Sequence, residues 1–391
     1  MISSAPAPAP TPTTPTKLFD GSAKAAHGRV GRKFGWALPV VAVECALAVR
    51  PDQRNNTTAD EMLDTPEVLD AKVDLLIRLM RAAGPNSIVY SGAGISRAAG
   101  IPDYASKAAN SLSSEKKLSD PGLALPSLAH RILTALHHEK GWIGQWINQN
   151  HDGLAQKAGF PESLCNSIHG DWFDPSNPVV QFSGNLRSDL FARMLDWEKR
   201  ATLSLCLGTS LSGMNADRMA ESPALRQDIR NCNVESASQF GTVIVNLQRT
   251  RLDDQCTLRI WARIDDVFRL LAEKLQLAPA LFEMPPQPFP ALPAGTVFAL
   301  PRYDADGAKM AATEADSAFR LDLTPGARVR IANREAPNKD AVGEMREQDR
   351  AGNFVVAFSQ KGKLTRVYTL GRWWLDAALK GEIEQLPLVN Q

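Results

Sequence analysis

The stretch from Ser87 to Ser106 constrains the fold more than any other part of the chain. Residues 87–90 are mostly β-branched or aromatic, which predicts a buried strand. Gly92-Ala93-Gly94 follows at once and allows a tight turn that brings the backbone close to a ligand, and Ser96 is a candidate helix N-cap. A strand, a small-residue turn and a helix start together suit a pyrophosphate. A tight turn without a ligand has the same local pattern, so other motifs are needed to distinguish the two.

Length and composition set the broad class of the protein. The 391 residues suit two domains, or one large domain with appendages, and 44% hydrophobic with 22% charged residues is typical of a globular protein. A net charge of +1 gives no indication of nucleic-acid binding. The five cysteines are scattered and odd in number, which favours a reducing compartment. We therefore predict an intracellular protein, cytoplasmic or nuclear.

Neither a membrane span nor a packed core is predicted near the N-terminus. No run reaches the roughly 18 apolar residues that a span requires. The first 40 residues are biased towards Lys and Arg, which is typical either of an organelle transit peptide or of a solvated tail. The predicted units are a low-complexity, disordered region over 1–60, a catalytic domain over 61–278, a proline-rich linker over 279–302 and a small β-rich domain over 303–391.

Local signals predict several elements of the second unit. Thr65 followed by Pro66 suits the start of a helix that ends before Gly84. Strands are predicted at 142–147, 203–207, 243–246 and 258–260, with a closing helix over 266–275. His130 is interpreted as a packing or capping residue.

Several motifs, in order, resemble one known family. The strings Gly92-Ala93-Gly94-Ile95-Ser96 and Gly100-Ile101-Pro102-Asp103-Tyr104 resemble the GAGIS and GIPDF signature of the sirtuins, the NAD-dependent deacylases. Gln149-Asn150-His151-Asp152-Gly153, His169-Gly170 and Gly208-Thr209-Ser210-Leu211 follow at similar positions, and the resemblance covers about residues 68–277. It implies an α/β fold, a Rossmann-like parallel sheet with helices on both faces, followed here by a small β-rich C-terminal module.

The resemblance also implies a site. His169 would act as general base on a ribose hydroxyl, while Asn150 and Asp152 would line the nicotinamide-ribose pocket. NAD is the implied cofactor, and an acyl-lysine protein or peptide the implied substrate. The implied cofactor-binding residues are Gly92, Ala93, Gly94, Ile95, Ser96, Ile101, Asp103, Tyr104, Gln149, Gly208, Thr209, Ser210 and Asn246.

Three departures from the family pattern leave the function open. Ala105 stands where the pattern has an arginine, Ser183-Gly184 replaces a Gly-Glu pair, and the two Cys-x-x-Cys pairs of the family's zinc module are missing, so no metal site is predicted. NAD-dependent protein-lysine deacylation is the first hypothesis. NAD hydrolysis or ADP-ribosyl transfer from the same pocket is the second, and a non-catalytic NAD or ADP-ribose sensor is the third.

The C-terminal third is predicted to be a separate β-rich module. Seven prolines between 279 and 301 indicate a linker, partly extended as polyproline II. Short strands are predicted at 319–323, 329–331 and 354–358, and a short helix after Trp373 and Trp374. Basic residues with these tryptophans could form a face for a protein partner; tryptophans in a core beneath a solvated surface are the alternative.

Overall fold

A computed structural model describes most of the chain. The described residues are 19–48, 58–113, 118, 120–181, 184–278, 280–283, 297–311, 319–360 and 363–391.

A six-stranded parallel sheet forms the centre of the first domain, and a separate two-stranded antiparallel ribbon precedes it. The strands of the ribbon are β1 (Val40–Val43) and β2 (Glu61–Leu63). Those of the sheet are β3 (Ser87–Ser91), β4 (Gln145–Asn148), β5 (Cys165–Ser167), β6 (Leu203–Leu207), β7 (Gly241–Val245) and β8 (Leu258–Ile260). Five of these six confirm predicted strands, with boundaries shifted by at most three residues, and β5 was not predicted.

The strand order positions the site. It runs β5-β4-β3-β6-β7-β8, so the chain builds one half of the sheet outward from β3 and then returns to β6 on the other side of β3. All neighbouring strands are parallel. This is the doubly wound order in which ligands bind beyond the carboxyl ends of the strands, where the order reverses. The predicted Rossmann-like fold is confirmed.

Helices cover both faces of this sheet, and each face has its own apolar core. They are α1 (Ala23–Gly31), α2 (Pro66–Ala83), α3 (Leu128–Ala135), α4 (Leu154–Lys157), α5 (Ser188–Arg200), α6 (Arg218–Arg226), α7 (Ile264–Lys274) and α8 (Ala280–Glu283). Thr65 caps α2 by accepting the Val68 N–H, as predicted. His130 is buried, lies 2.9 Å from Ser127 Oγ through Nδ1 and stacks on Trp146, which confirms its packing role.

The region before residue 60 is not uniformly disordered, which corrects that domain boundary. Residues 19–48 include α1 and β1 and dock onto the end of the sheet at β8. Phe19, Ala26, Val41 and Met62 form an apolar cluster around the fully buried Trp261. These apolar residues are widely spaced in the sequence, so no local periodicity predicts a core here. They are buried only because the folded sheet places Trp261 against them. Residues 1–18 lie outside the described part.

The C-terminal domain is built from antiparallel sheets, as predicted. Its strands are β9 (Val297–Leu300), β10 (Phe319–Asp322), β11 (Arg328–Ile331), β12 (Val342–Met345), β13 (Phe354–Gln360), β14 (Lys363–Leu370) and β15 (Leu388–Asn390), and its helix is α9 (Arg372–Leu379). The five-stranded sheet has the order β14-β13-β12-β11-β15, and β9 pairs with β10. Because β9 starts at Val297, the predicted linker ends earlier than residue 302; its prolines from 285 to 293 lie outside the described residues.

Within the described ranges, no helix combines the length and apolar character needed to cross a membrane.

Candidate functional site

A cavity of about 1050 Å³ opens where the strand order reverses. Of the sixteen residues predicted for the site, thirteen line this cavity. They are Gly92, Ala93, Gly94, Ile95, Asp103, Tyr104, Gln149, Asn150, His169, Gly208, Thr209, Ser210 and Asn246. They come from loops far apart in the sequence, and the parallel sheet brings these loops to one edge.

The two glycine turns at the reversal touch backbone to backbone. Gly94 N donates to Gly208 O at 2.9 Å, and Gly92 N donates to Leu207 O at 3.0 Å. A Cβ atom on Gly208 would lie 2.6 Å from Gly94 Cα, and its φ of +60° is itself costly for any other residue. Glycine is therefore required here for the close approach of β3 to β6, which leaves both turns facing the cavity.

The segment after the first turn differs from the predicted helix start. Residues Ala93–Ala99 form a 3-10 helix that ends at Gly100, whose φ is +81°. Ser96 lies inside this helix and is not its N-cap; its hydroxyl donates to Asp152 Oδ2 at 2.6 Å. The expectation of an N-cap fails because the helix begins three residues earlier, at Ala93, with Gly92 in the N-cap position.

Three predicted residues lie behind the cavity wall. Ser96, Ile101 and Asp152 are buried and are not part of its lining. Asn150 is in the wall, and its Nδ2 donates to Ser96 Oγ and to Gly92 O, both at 3.1 Å. Asp152 also accepts the Leu154 N–H. The carboxylate of Asp152 thus orients Ser96, and Ser96 orients the Asn150 amide, so Asp152 is a positioning residue.

His169 faces the cavity as a neutral imidazole. Its pKa is lowered to about 4, mainly by burial and secondly by nearby His151, against a hydrogen bond with the Gln149 backbone that raises it. A neutral ring has a nitrogen lone pair that can accept a proton. His169 therefore meets the first requirement for a general base at neutral pH.

The opposite end of the cavity is lined by uncharged polar groups. Gln149 Nε2 donates to Thr209 Oγ1 at 2.9 Å, and Asn246 Nδ2 donates to Thr209 O at 3.3 Å. These bonds tie the loops after β4, β6 and β7 together. Hydroxyl and amide groups in this arrangement suit the hydroxyls of a ribose.

The residues after the signature fold over the cavity as a loop. Asp103 accepts hydrogen bonds from Ser106 N and Ser106 Oγ, and Arg97 Nε lies 3.9 Å from the Asp103 carboxylate. Arg97 also donates to Ser113 O and belongs to the cavity lining. Tyr104 is exposed at the mouth.

Sequence reasoning missed Glu61, which lines the cavity from β2. Its carboxylate accepts the Ser111 hydroxyl at 2.5 Å and Leu112 N at 2.7 Å, so it anchors the loop. Burial raises the pKa of Glu61. No sequence pattern marks an isolated glutamate as a site residue, and Glu61 reaches the cavity only because β2 docks beside the loop.

Four charged residues in and next to the first half of α7 also line the cavity and were not predicted. They are Arg263, Asp265, Asp266 and Arg269.

The segment that follows His169 carries a buried acid, Asp171. It accepts hydrogen bonds from Phe173 N at 2.8 Å and Ser167 Oγ at 2.9 Å, yet burial raises its pKa to about 7.

No group of three or more His, Cys, Asp or Glu side chains in the described ranges is placed to hold a metal ion. Cys206 is fully buried in β6 and is part of the core.

Asp171 makes stability depend on pH. Folded Asp171 keeps its proton up to about pH 7, whereas an unfolded aspartate loses it near pH 4, so the folded state binds more protons between these values. Its contribution to the free energy of unfolding must therefore fall as pH rises through this window, by about 2.5 kcal/mol from pH 5 to pH 8. We expect Asp171→Asn to remove this loss. Thermal unfolding of wild type and variant at both pH values measures it.

The control for this prediction is Asp196→Asn, on the exposed face of α5. It should leave the pH dependence of the melting temperature unchanged. Equal pH dependence in Asp171→Asn and wild type would contradict the prediction.

Comparison with known proteins gives relatives of one kind. The NAD-dependent protein deacetylase sirtuin-7 of Bos taurus is 29% identical over 270 residues, and that of Homo sapiens is 30% identical over 270 residues; each match covers 56% of this chain and 63% of the relative. The NAD-dependent protein deacetylase SRT1 of Arabidopsis thaliana is 29% identical over 262 residues, covering 56% of this chain and 52% of the relative. The chain thus spans less than two thirds of the length of these relatives. No protein-family model matches.

Solved structures with similar architecture include a Sir2 with p53 peptide and NAD+, at 23% identity and a TM-score of 0.41 over 52% of this chain and 98% of that one. Another is Sir2 bound to acetylated peptide, at 22% identity and a TM-score of 0.41 over 53% of this chain and 99% of that one. The resemblance read from the motifs is confirmed by these relatives: over 56% of its length the chain is similar to proteins of the sirtuin family.

Proposed function

We propose that this protein is an NAD-dependent protein-lysine deacylase. The observation that carries the proposal is the neutral imidazole of His169 in the wall of the same cavity as Asn150, at the reversal of the strand order. The relatives are named NAD-dependent protein deacetylases, which supports this activity at the level of the family.

The residues of the cavity fit NAD. The glycine turns allow phosphates to approach the backbone, and Gln149, Thr209 and Asn246 offer amides and hydroxyls at the ribose end. NAD supplies a labile bond between nicotinamide and ribose. The chain would hold the dinucleotide across the sheet edge, orient the nicotinamide end with the Asn150 amide, and accept a proton from a ribose hydroxyl at His169.

NAD hydrolysis or ADP-ribosyl transfer is a second candidate, and Ala105 favours it. Ala105 lines the cavity at the position where the family pattern has an arginine, and it packs with Cys45, Ala59 and Ala108. This position therefore supplies no guanidinium to the cavity. Arg97, the nearby cation, already has Asp103 and Ser113 O as partners. Without charge-assisted hydrogen bonds from an arginine at position 105, the bound dinucleotide would be held less firmly. Water would then compete better as the acceptor of the ADP-ribosyl group.

Product analysis tests these activities. The purified protein is incubated with NAD, with and without a pool of acyl-lysine peptides, and the products are identified by mass spectrometry. Nicotinamide and O-acyl-ADP-ribose formed only with peptide are the expected result. Peptide-independent nicotinamide with free ADP-ribose would establish hydrolysis, self-modification would establish transfer, and NAD binding without nicotinamide release would leave the sensor hypothesis.

The low pKa of His169 predicts the acid side of the pH profile. The base is lost only when the imidazole is protonated, which requires a pH near 4 in the free enzyme. We expect kcat/KM for NAD to change less than about twofold between pH 8 and pH 5.5, whereas a solvated histidine near 6.5 would cost roughly tenfold. Initial rates of nicotinamide release measure it.

Circular dichroism at each pH is the control for this profile. A histidine with a lowered pKa contributes stability that falls as pH drops from about 6.5 towards 4, because the unfolded state then binds more protons. A decline centred near pH 6.5 with folded protein would contradict the prediction.

A further inference from the structure

The C-terminal domain contacts the first domain through Trp373, the second residue of α9. The ring of Trp373 packs edge-on against Phe173, with centroids 5.1 Å apart and an interplanar angle of 65°. A Cβ atom on Gly153 would lie 2.7 Å from the same ring, so glycine at this position permits the contact. Gly371 N donates to Phe173 O at 2.9 Å, and Asn338 Nδ2 donates to Pro175 O at 3.1 Å. Trp373 is 6% exposed, so this is a packed interface.

The residues that Trp373 touches adjoin the two loops of the site. Gly153 directly follows Asp152, the carboxylate that orients Ser96 and through it Asn150. The Trp373 ring therefore packs against the end of the loop that carries the Asn150 amide.

Phe173 lies four residues after His169 and is fixed to the same loop. Its N–H donates to Asp171 Oδ1 at 2.8 Å, and Trp172 N donates to His151 O at 2.9 Å. His151 Nδ1 lies 2.9 Å from Gly170 O. These bonds join the loop after β4 to the loop after β5, and Trp373 packs against both.

Lys157 extends the interface to the loop over the cavity. Its ammonium lies 4.6 Å from the Phe173 ring centroid and 5.9 Å from that of Trp373. It donates to Gly122 O at 2.9 Å and to Ala124 O at 3.3 Å, where the chain returns from the loop. The half-buried ammonium of Lys157 thus connects the C-terminal domain, the segment after His169 and the end of the cavity loop.

We propose that Trp373 is a positioning residue, through which the C-terminal domain holds the loops of Asn150 and His169 in their working arrangement. The inference rests on the proposed function. Packed interiors transmit small displacements because they do not deform continuously. Loss of the indole would leave a void against Gly153 and Phe173, and both loops would gain freedom. The glycine turns after β3 and β6 do not touch Trp373, so we expect NAD binding to depend on it less than turnover does.

The test compares full-length Trp373→Ala and Trp373→Phe with Trp374→Ala as the matched control. Trp374 is the next residue, and it packs on the apolar core of the C-terminal domain itself. We expect Trp373→Ala to lower kcat for nicotinamide release at least tenfold with less than a threefold change in KM for NAD. Trp373→Phe retains an aromatic ring against Phe173 and should recover most of kcat, and Trp374→Ala should stay within about twofold of wild type.

Hydrogen exchange measured by mass spectrometry provides a readout that does not depend on activity. Trp373→Ala should accelerate exchange in 150–154 and 169–174, and Trp374→Ala should not. If wild type releases no nicotinamide, the proposed function fails, and exchange alone still tests the positioning role. Unchanged exchange and unchanged kcat in Trp373→Ala would overturn the inference, as would equal effects of the two alanine variants. Should Trp373→Ala fail to fold, Lys157→Met in the same exchange experiment replaces it, and unchanged exchange there would also overturn it.

Discussion

Replacing His169 by alanine is expected to lower kcat for nicotinamide release by about 10²–10⁴-fold, the usual contribution of a positioned general base. The imidazole is neutral at pH 7, and alanine has no group that can accept a proton. Binding of NAD should persist, because the glycine turns after β3 and β6 and the amides of Gln149 and Asn246 remain in place. Steady-state rates and isothermal titration calorimetry with NAD measure the two effects separately.

His138→Ala is the matched control. His138 is exposed, contacts Gly159 O and does not line the cavity, so its loss should change kcat less than twofold. Full activity of His169→Ala would remove the general base from the proposed mechanism. Loss of NAD binding in the same variant would instead show that His169 belongs to the binding surface.

Replacing Lys72 by methionine is expected to cost about 3–5 kcal/mol in the free energy of unfolding at pH 7, the range for breaking a buried ion pair. Lys72 Nζ lies 2.6 Å from Asp64 Oδ1, and both side chains are fully buried. Asp64 also accepts Trp261 N at 2.8 Å, so this pair joins α2 to the end of the sheet beneath the N-terminal segment. Without the ammonium, Asp64 must stay charged in an apolar site or take up a proton.

The pH dependence of this loss identifies its cause. Burial already raises the pKa of Asp64 and lowers that of Lys72 to about 8, so removing the cation should raise the pKa of Asp64 further. The destabilisation should therefore shrink at pH 5, where Asp64 takes up a proton more readily. The double variant Lys72→Met and Asp64→Asn should recover most of the stability at pH 7. Urea unfolding provides the values, and a loss below about 1 kcal/mol in Lys72→Met would contradict the expectation.

The local parts of this protein could be predicted from the sequence. The apolar run at 87–90, the Thr65-Pro66 start of α2 and the glycine turns depend on propensity and backbone sterics, which act over a few residues. The resemblance of the motifs to the sirtuins also implied that His169, Asn150 and Asn246 share one site, and all three line the same cavity.

Other features had no local signal. Asp152 lies behind the cavity wall because Ser96 and Leu154 N are the donors that its carboxylate meets in the fold. Glu61 is in the wall because the β1–β2 ribbon docks beside the cavity loop. The helix over 23–31 folds onto the sheet because it buries Trp261, whose Nε1 donates to Ala26 O. The placement of Asp152, Glu61 and this helix thus depends on polar or apolar partners that the fold brings against them from distant parts of the chain.

The sequence by itself therefore determined most strands of the parallel sheet, the glycine turns and the kind of chemistry available, because short motifs specify backbone conformation and functional groups directly. The tertiary structure alone decided which of these groups reach the cavity, how burial shifts the pKa values of His169 and Asp171, and that Trp373 faces the loops of the site. Desolvation and packing depend on neighbours far apart in the chain, and those neighbours exist only once the two domains are folded against each other.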